Sequence, residues 1–255
     1  MKKTAILLFI MTFILFAKDY TQNPETIKII DELVKKYDFK RDEVEKLFSN
    51  VKIQDSALRA FRPKVNKKRT PEQIAALKER YPKYGAWDRY VKYKITPSRV
   101  QQGVDYIKRH RKTFEKVEKK YGVPKEYIAA IIGIESVYGK NVGKYPVFDT
   151  LSTLAFEKNR RNKFFQKELM KFIKLSKTEK FNPKNVYGSY AGAIGLGQFM
   201  PSNYEAYGVD FNGDGKITLQ KAEDAIASVA NYLNHNGWRT GEPVATRVGY
   251  EGLRF

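Results

Sequence analysis

One acidic side chain falls where a carboxylate is costly. The segment from Val123 to Gly139 reads as a helix with Pro124 in its first turn and Gly139 just past its end. On it Ile128, Ile131, Ile132 and Glu135 stand at i, i+3, i+4 and i+7, a single face. A carboxyl group on an apolar stripe loses hydration, which disfavours its charged form and lifts its pKa from about 4.3 toward neutrality. A general acid working near pH 7 needs that shift. A helix-end Glu that turns outward or pairs with a lysine is the commoner arrangement, so the rest of the chain has to decide.

Two loops stand out. Between Tyr187 and Tyr204, glycines at 188, 192, 195 and 197 precede Gln198. That density permits positive φ and close approach of backbone to a neighbour or a ligand, but the order is not that of a phosphate loop. Gln198, Phe199 and Met200 combine a hydrogen-bonding amide with apolar surface suited to sugar rings; tight helix packing is the alternative reading of the glycines. The second loop, Asp210 to Lys221, has Asp210, Asn212 and Asp214 at positions 1, 3 and 5 of a calcium loop, glycine at 6, Lys216 at 7 and Ile217 at 8. Position 12 should supply a bidentate carboxylate and is Lys221, with Glu223 and Asp224 two and three residues late. Weak calcium binding is expected, or a loop that keeps the shape without the ion.

The elements that must position these groups are helical. Asn23–Pro24, Thr70–Pro71 and Thr96–Pro97 read as helix starts, Asp149 as a cap for a helix bearing Leu151, Leu154 and Ala155, and Ala222 to Leu233 as an apolar stripe that stops before Gly237. Strand alternation is scarce, so the expected fold is mainly α. The organisation expected is an export signal or anchor at 1–17, a helical lead-in with a basic, Pro63-containing linker at 18–69, and one domain at 70–255. The apolar run from Ala5 to Ala17 reaches only about 20 Å as a helix, short of the roughly 30 Å core of a bilayer.

The 255 residues carry a formal charge of +20 and no cysteine. The charge favours encounter with a polyanion, and export points to cell-wall polymer rather than nucleic acid. The clusters Lys67, Lys68, Arg69 and Lys108 to Lys112 taken alone read as solvated surface. Without cysteine there is no disulfide, no thiolate metal site and no lipid-modified cysteine. His110 and His235 are the only histidines, neither at ligand spacing nor beside a nucleophile motif, which excludes zinc hydrolysis and a Ser/His mechanism.

Five motifs in order, Ile134–Ser136, Arg160–Arg161 before Phe164–Phe165, the block Gly188–Ser202, the calcium-like loop and Ser228–Tyr232, resemble the membrane-bound lytic transglycosylase B family over about Trp87 to Val248. The resemblance implies a lysozyme-like helical core with a helical N-terminal region and an EF-hand-like loop insert. It implies cleavage of the β-1,4 bond between N-acetylmuramic acid and N-acetylglucosamine of peptidoglycan, with a 1,6-anhydro product and no required cofactor. Glu135 would act as acid and then base, which suits a chain with no convincing second acid; usual glycosidases need two.

By position, Ser189 and Gln198 would hydrogen-bond near the acid or the substrate amides. Phe199 and Met200 would line the groove, Tyr232 would lie close to Glu135, and Arg160 and Arg161 would suit lactyl or peptide carboxylates. The family's lipid-bearing cysteine is absent, so the protein is expected in the periplasm or held at the inner membrane by an uncleaved N-terminal segment. The family also continues where this chain stops at Phe255, which is expected to remove one groove wall. The alternatives are a hydrolase of the goose-lysozyme type and a non-catalytic peptidoglycan-binding protein.

Overall fold

The computed structural model describes residues 17–63, 69–80 and 86–245. The expected signal at 1–17 lies outside them except for Ala17; so do Lys67 and Lys68 of the first basic cluster, most of the expected linker, and the end of the chain beyond 245. Twelve helices run through the described residues: α1 Pro24–Tyr37, α2 Arg41–Phe48, α3 Asp55–Phe61, α4 Pro71–Arg80, α5 Ala86–Lys94, α6 Pro97–Arg109, α7 Arg111–Tyr121, α8 Lys125–Ser136, α9 Val147–Phe156, α10 Asn162–Thr178, α11 Pro201–Tyr207 and α12 Ala222–His235. Two small antiparallel pairs accompany them. β1 (Ala17–Lys18) lies beside β2 (Val51–Lys52), and β3 (Tyr145–Pro146) beside β4 (Tyr187–Gly188).

The helix starts follow from local chemistry. Asn23 Oδ1 accepts from the backbone N–H groups of Glu25 and Thr26, Thr96 Oγ1 accepts from that of Arg99, and Thr70 and Gln73 bond reciprocally, side chain to backbone. Each satisfies donors that a helix leaves unpaired in its first turn. Asp149 departs from expectation: α9 begins at Val147 after Pro146, and Asp149 sits inside the first turn. The apolar pair Val147 and Phe148, fully buried, extends the helix ahead of it. Its buried carboxylate accepts from Lys184 Nζ at 3.1 Å, so it stabilises a fold contact and caps nothing.

Helix α9 is buried along nearly its whole length, with α10, α3 and β2 packed around it. The N-terminal helices share this core. Val44, Phe48 and Val51 belong to the same buried cluster as Phe148 and Leu154, and the Phe48 and Phe148 rings lie 5.3 Å apart. Lys18 and Tyr20 both donate to Glu157 at the end of α9, which fastens the start of the described chain to this layer. A second layer, α6, α7, α8 and α12, packs about Tyr106, Phe114, Ile128 and Ile132. The cleft lies beside α8, between its end and the glycine-rich turn.

Candidate active site

Helix α8 ends in an unusual way. Val137 (φ 53°) and Tyr138 (φ 56°), neither a glycine, adopt the left-handed region ahead of Gly139, so the helix stops at Ser136, two residues earlier than the glycine suggests. A β-branched residue there is strained and persists only where packing fixes it. Tyr138 supplies that packing. Its hydroxyl fills a slot between Gly103 of α6 and Gly133 of α8, where a Cβ would come within 2.5 Å and 2.4 Å of it, and donates to Arg99 O at 3.3 Å. The last turn of α8, carrying Glu135, is thereby held.

The stripe reading of that helix needs a correction. Ile128, Ile132 and Ser136 form the buried row, while Ile131 is half-buried and Glu135 is exposed. Glu135 therefore stands at the margin of the core face and opens into the cleft. Its pKa is nonetheless raised, by desolvation against the cleft wall, with the Lys94 ammonium pulling the other way.

Two cavities meet at this carboxylate. One, of about 490 Å³, is lined by Glu135, Asn141, Lys144, Ser189, Tyr190 and Gln198 among others. The other, of about 280 Å³, is lined by Glu135, Ile131, Gln198, Phe199, Asn203 and Tyr232 among others. Glu135 is the only carboxylate lining either cavity among the described residues.

The glycine-rich block forms the facing wall. Ser189 Oγ accepts from Ala191 N (3.2 Å) and Ala193 N (3.0 Å), which leaves its O–H to be given to the cleft. Gln198, in the left-handed region at φ 51°, spends its amide N–H groups on Val142 O (3.0 Å) and Gly195 O (2.9 Å). No donor among the described residues reaches its Oε1, the atom fitted to accept from a substrate amide or a protonated acid. Gly195 lets this turn approach the chain at Leu219, where a Cβ would meet Leu219 Cβ at 2.5 Å.

Four of the expected residues, Ser189, Gln198, Phe199 and Tyr232, thus gather with Glu135. Phe199 is only 6% exposed, so its ring, 6.0 Å edge-to-face from Tyr232, is mostly core and shows the cleft one margin. Met200 lines neither cavity and precedes α11. Arg160 and Arg161 are exposed and stand outside both. The Arg161 guanidinium lies 4.1 Å over the Phe164 ring, and the Arg160 N–H donates to Phe61 O. The Phe61 ring is 6.0 Å from Tyr190, so the pair borders the cleft at one remove. Sequence reasoning passed over Asn141, Lys144, Tyr190, Asn203 and Lys94. The first two sit in a loop with no periodicity, and Tyr190 lay inside the quoted glycine block without drawing notice.

The calcium-like loop is present as a turn, with the Lys221 ammonium and the buried Asp224 carboxylate both drawn to it. Lys221 Nζ bonds Asp214 Oδ2 at 2.5 Å, and Asn212 presents its amide N–H, at 3.2 Å, to the same oxygen. Asp210 holds the backbone N–H groups of Gly213, Asp214 and Gly215, and the Lys216 N–H donates to Asp214 Oδ1.

A mainly helical fold with one carboxylate on the floor of a sugar-sized cleft, faced by a hydroxyl and an amide, is that of a lysozyme-like protein. The chain belongs to the family described as the transglycosylase SLT domain, whose model matches residues 22–253. It is 41% identical, over 227 residues and 89% of its own length, to the membrane-bound lytic murein transglycosylase B of Escherichia coli (strain K12), and spans 61% of that protein's length.

Among solved structures it is similar to the Escherichia coli lytic transglycosylase SLT35 in complex with calcium, with a TM-score of 0.77 and 39% identity, covering 90% of this chain and 68% of that one. It is also similar to SltB3 from Pseudomonas aeruginosa in complex with NAG-NAM-pentapeptide, with a TM-score of 0.71 and 27% identity, covering 92% of this chain and 59% of that one.

Proposed function

We propose that this protein is a lytic transglycosylase of peptidoglycan that acts in the periplasm. The observation that carries the reading is Glu135, the one carboxylate lining the cleft among the described residues, with a raised pKa and with Ser189 and Gln198 on the opposite wall. Two-acid hydrolysis needs a second carboxylate across the scissile bond to activate water or attack the sugar, and among the described residues neither cavity supplies one.

A single acid suffices when the substrate provides the nucleophile. Protonated Glu135 donates its proton to the glycosidic oxygen, which leaves on the N-acetylglucosamine side as a hydroxyl while the C1–O4 bond breaks. The muramic N-acetyl oxygen shares its electrons with C1. The 6-hydroxyl of the same muramic residue then forms the C1–O6 bond and gives its proton to the Glu135 carboxylate. One bond replaces another, no water is consumed, and the product ends in a 1,6-anhydro ring.

Gln198 Oε1 would accept an amide N–H of the substrate, and Tyr232 and Phe199 would bear on a sugar face. Lys140 and Lys144 on the cleft rim carry charge suited to the lactyl and stem-peptide carboxylates; Arg160 and Arg161 would meet them only beyond Tyr190. Calcium has no step in this chemistry, and in this reading the 210–221 loop binds it weakly at most.

Mass spectrometry of purified peptidoglycan after digestion tests the proposal. The wild type should release muropeptides one water lighter than hydrolytic products, and Glu135→Gln should bind the insoluble polymer and release nothing. Reducing-end products alone would make the protein a hydrolase. Binding without release by the wild type would make it a wall-binding module.

A further inference from the structure

The smaller cavity beside the acid, of about 280 Å³, carries four polar side chains on its lining, those of Glu135, Gln198, Asn203 and Tyr232. Ile131, Phe199 and Val229 make most of the remainder apolar. We propose that Asn203 is a substrate-binding residue that reads the 2-acetamido group of the N-acetylglucosamine unit, so that the enzyme distinguishes acetylated from deacetylated glycan. The inference rests on the proposed function for the identity of the polymer.

Asn203 is held in place by its neighbours. It sits in the first turn of α11, between residues whose side chains are committed elsewhere. Ser202 gives its backbone N–H to Glu168 Oε2 (2.9 Å) and its hydroxyl to Glu168 Oε1 (2.8 Å), and Glu168, in α10, is buried. Tyr204 is buried too, and its hydroxyl donates to Ile217 O. Glu205 receives the ammonium groups of Lys171 and Lys174 from α10, and the Asn231 amide of α12 donates to Tyr207 O at 3.0 Å. The short helix is therefore tied to α10 on one side and to α12 on the other. Among the described residues none bonds the amide of half-buried Asn203. A polar group placed against an apolar wall loses water, and a ligand that pairs with it recovers that loss. Because the backbone is already fixed, little freedom remains to be surrendered on binding.

An acetamido group has an N–H to give, a carbonyl to receive a hydrogen bond and a methyl to bury. Gln198 Oε1 can accept the N–H. The Gln198 amide hydrogens, however, go to Val142 O and Gly195 O, so this residue has nothing to offer the carbonyl. Asn203 Nδ2 has. Ile131 and Val229 provide apolar contact for the methyl. Tyr232 is packed edge-on by Phe199 and Tyr207, at 6.0 Å and 5.1 Å between ring centres, and presents a sugar platform with a single hydroxyl. An acceptor from the glycine-rich turn and a donor from α11 thus match the two ends of an amide. A glucosamine unit lacks both the carbonyl and the methyl, and would leave Nδ2 unpaired.

Glycan strands before and after enzymatic removal of the glucosamine acetyl groups test this, with binding followed by calorimetric titration in the Glu135→Gln background, where no bond breaks. With Asn203 present, the acetylated strands should bind about 10-fold more tightly than the deacetylated ones or better. Asn203→Leu and Asn203→Ala should each weaken binding of acetylated strands by about 10-fold and leave deacetylated strands nearly unaffected, so that the preference disappears. Both variants should melt within about 2 °C of the parent, since the replaced amide makes no internal bond. An acetyl preference that survives in the folded variants overturns the inference, as does a parent that binds both strands equally or neither. A lowered melting temperature with equal weakening on both strands would make Asn203 a residue of the fold and overturn it as well. The mass of the products released by the wild type is read separately, so hydrolytic products would sink the lytic reading and leave the acetyl preference standing.

Discussion

The hydroxyl of Tyr138 lies so close to Gly133 that a Cβ there would stand 2.4 Å from it. Gly133 is two residues before Glu135, so the side chain that holds the left-handed exit of α8 also fixes where the acid points.

Alanine at either glycine of this slot should destabilise the protein, although alanine favours a helix over glycine by about 1 kcal/mol. Overpacking typically costs about 1–3 kcal/mol, and the melting temperature should fall accordingly. The two variants should differ in rescue. At Gly103 the clash is with the hydroxyl at 2.5 Å and the next ring atom is 3.2 Å away, so Tyr138→Phe should recover most of the loss. At Gly133 a ring carbon itself lies at 2.6 Å, and the same change should recover little. Equal rescue by calorimetry would contradict the slot.

The pH dependence of catalysis should answer to Lys94. Desolvation raises the pKa of Glu135 and the Lys94 charge lowers it, so Lys94→Met should raise it further. The protonated acid then survives to higher pH, and the alkaline limb of kcat/KM should move upward. The sign for stability is the same: a raised folded-state pKa stabilises below the unfolded value, and that contribution disappears as pH rises through the folded one. An unmoved limb would detach Lys94 from the acid.

Gln198→Leu should cost both stability and rate. It strips the Val142 carbonyl of its side-chain donor and leaves Gly195 O with the Gln198 backbone N–H alone, a loss that for partly buried groups amounts to about 1–3 kcal/mol. It also removes the acceptor that faces the cleft. Full activity in a variant with a lowered melting temperature would assign Gln198 to the fold alone.

The tie at the start of the described chain should weaken in acid. Partial burial would raise the pKa of Glu157, but hydrogen bonds from Lys18 and Tyr20 and the Lys18 charge outweigh it and hold the carboxyl below its usual range. The stability this provides is present above about pH 4.3 and is lost as pH falls through the depressed value. Glu157→Gln should remove that dependence, an effect on the order of 1 kcal/mol given the exposure of Lys18, visible as a flatter plot of urea midpoint against pH.

The place of Glu135 at the edge of an apolar helix face was legible because its helix carries apolar residues at helical spacing, and the caps at Asn23, Thr70 and Thr96 were legible because capping is local chemistry. What escaped depends on distant packing. Val137 and Tyr138 take the backbone conformation that a glycine would advertise, because Tyr138 fits a slot made by two other helices. Asp149 has the residue type of a cap, yet the burial of Val147 and Phe148 starts the helix before it. Phe199 looks like a sugar platform in the chain and is spent largely on Tyr232. The arginine pair is separated from the cleft by Phe61 and Tyr190, rings brought there by segments far apart in sequence.

Glu135, the one carboxylate lining the cleft among the described residues, carries one more implication for the proposed chemistry. Each turnover would begin and end with Glu135 in the same ionic state, its hydrogen lent to one sugar and repaid by the other. Such a catalyst resets itself before product departs. It needs no relay of side chains to the bulk solvent, and a cleft furnished with hydroxyl and amide groups but no partner acid is sufficient.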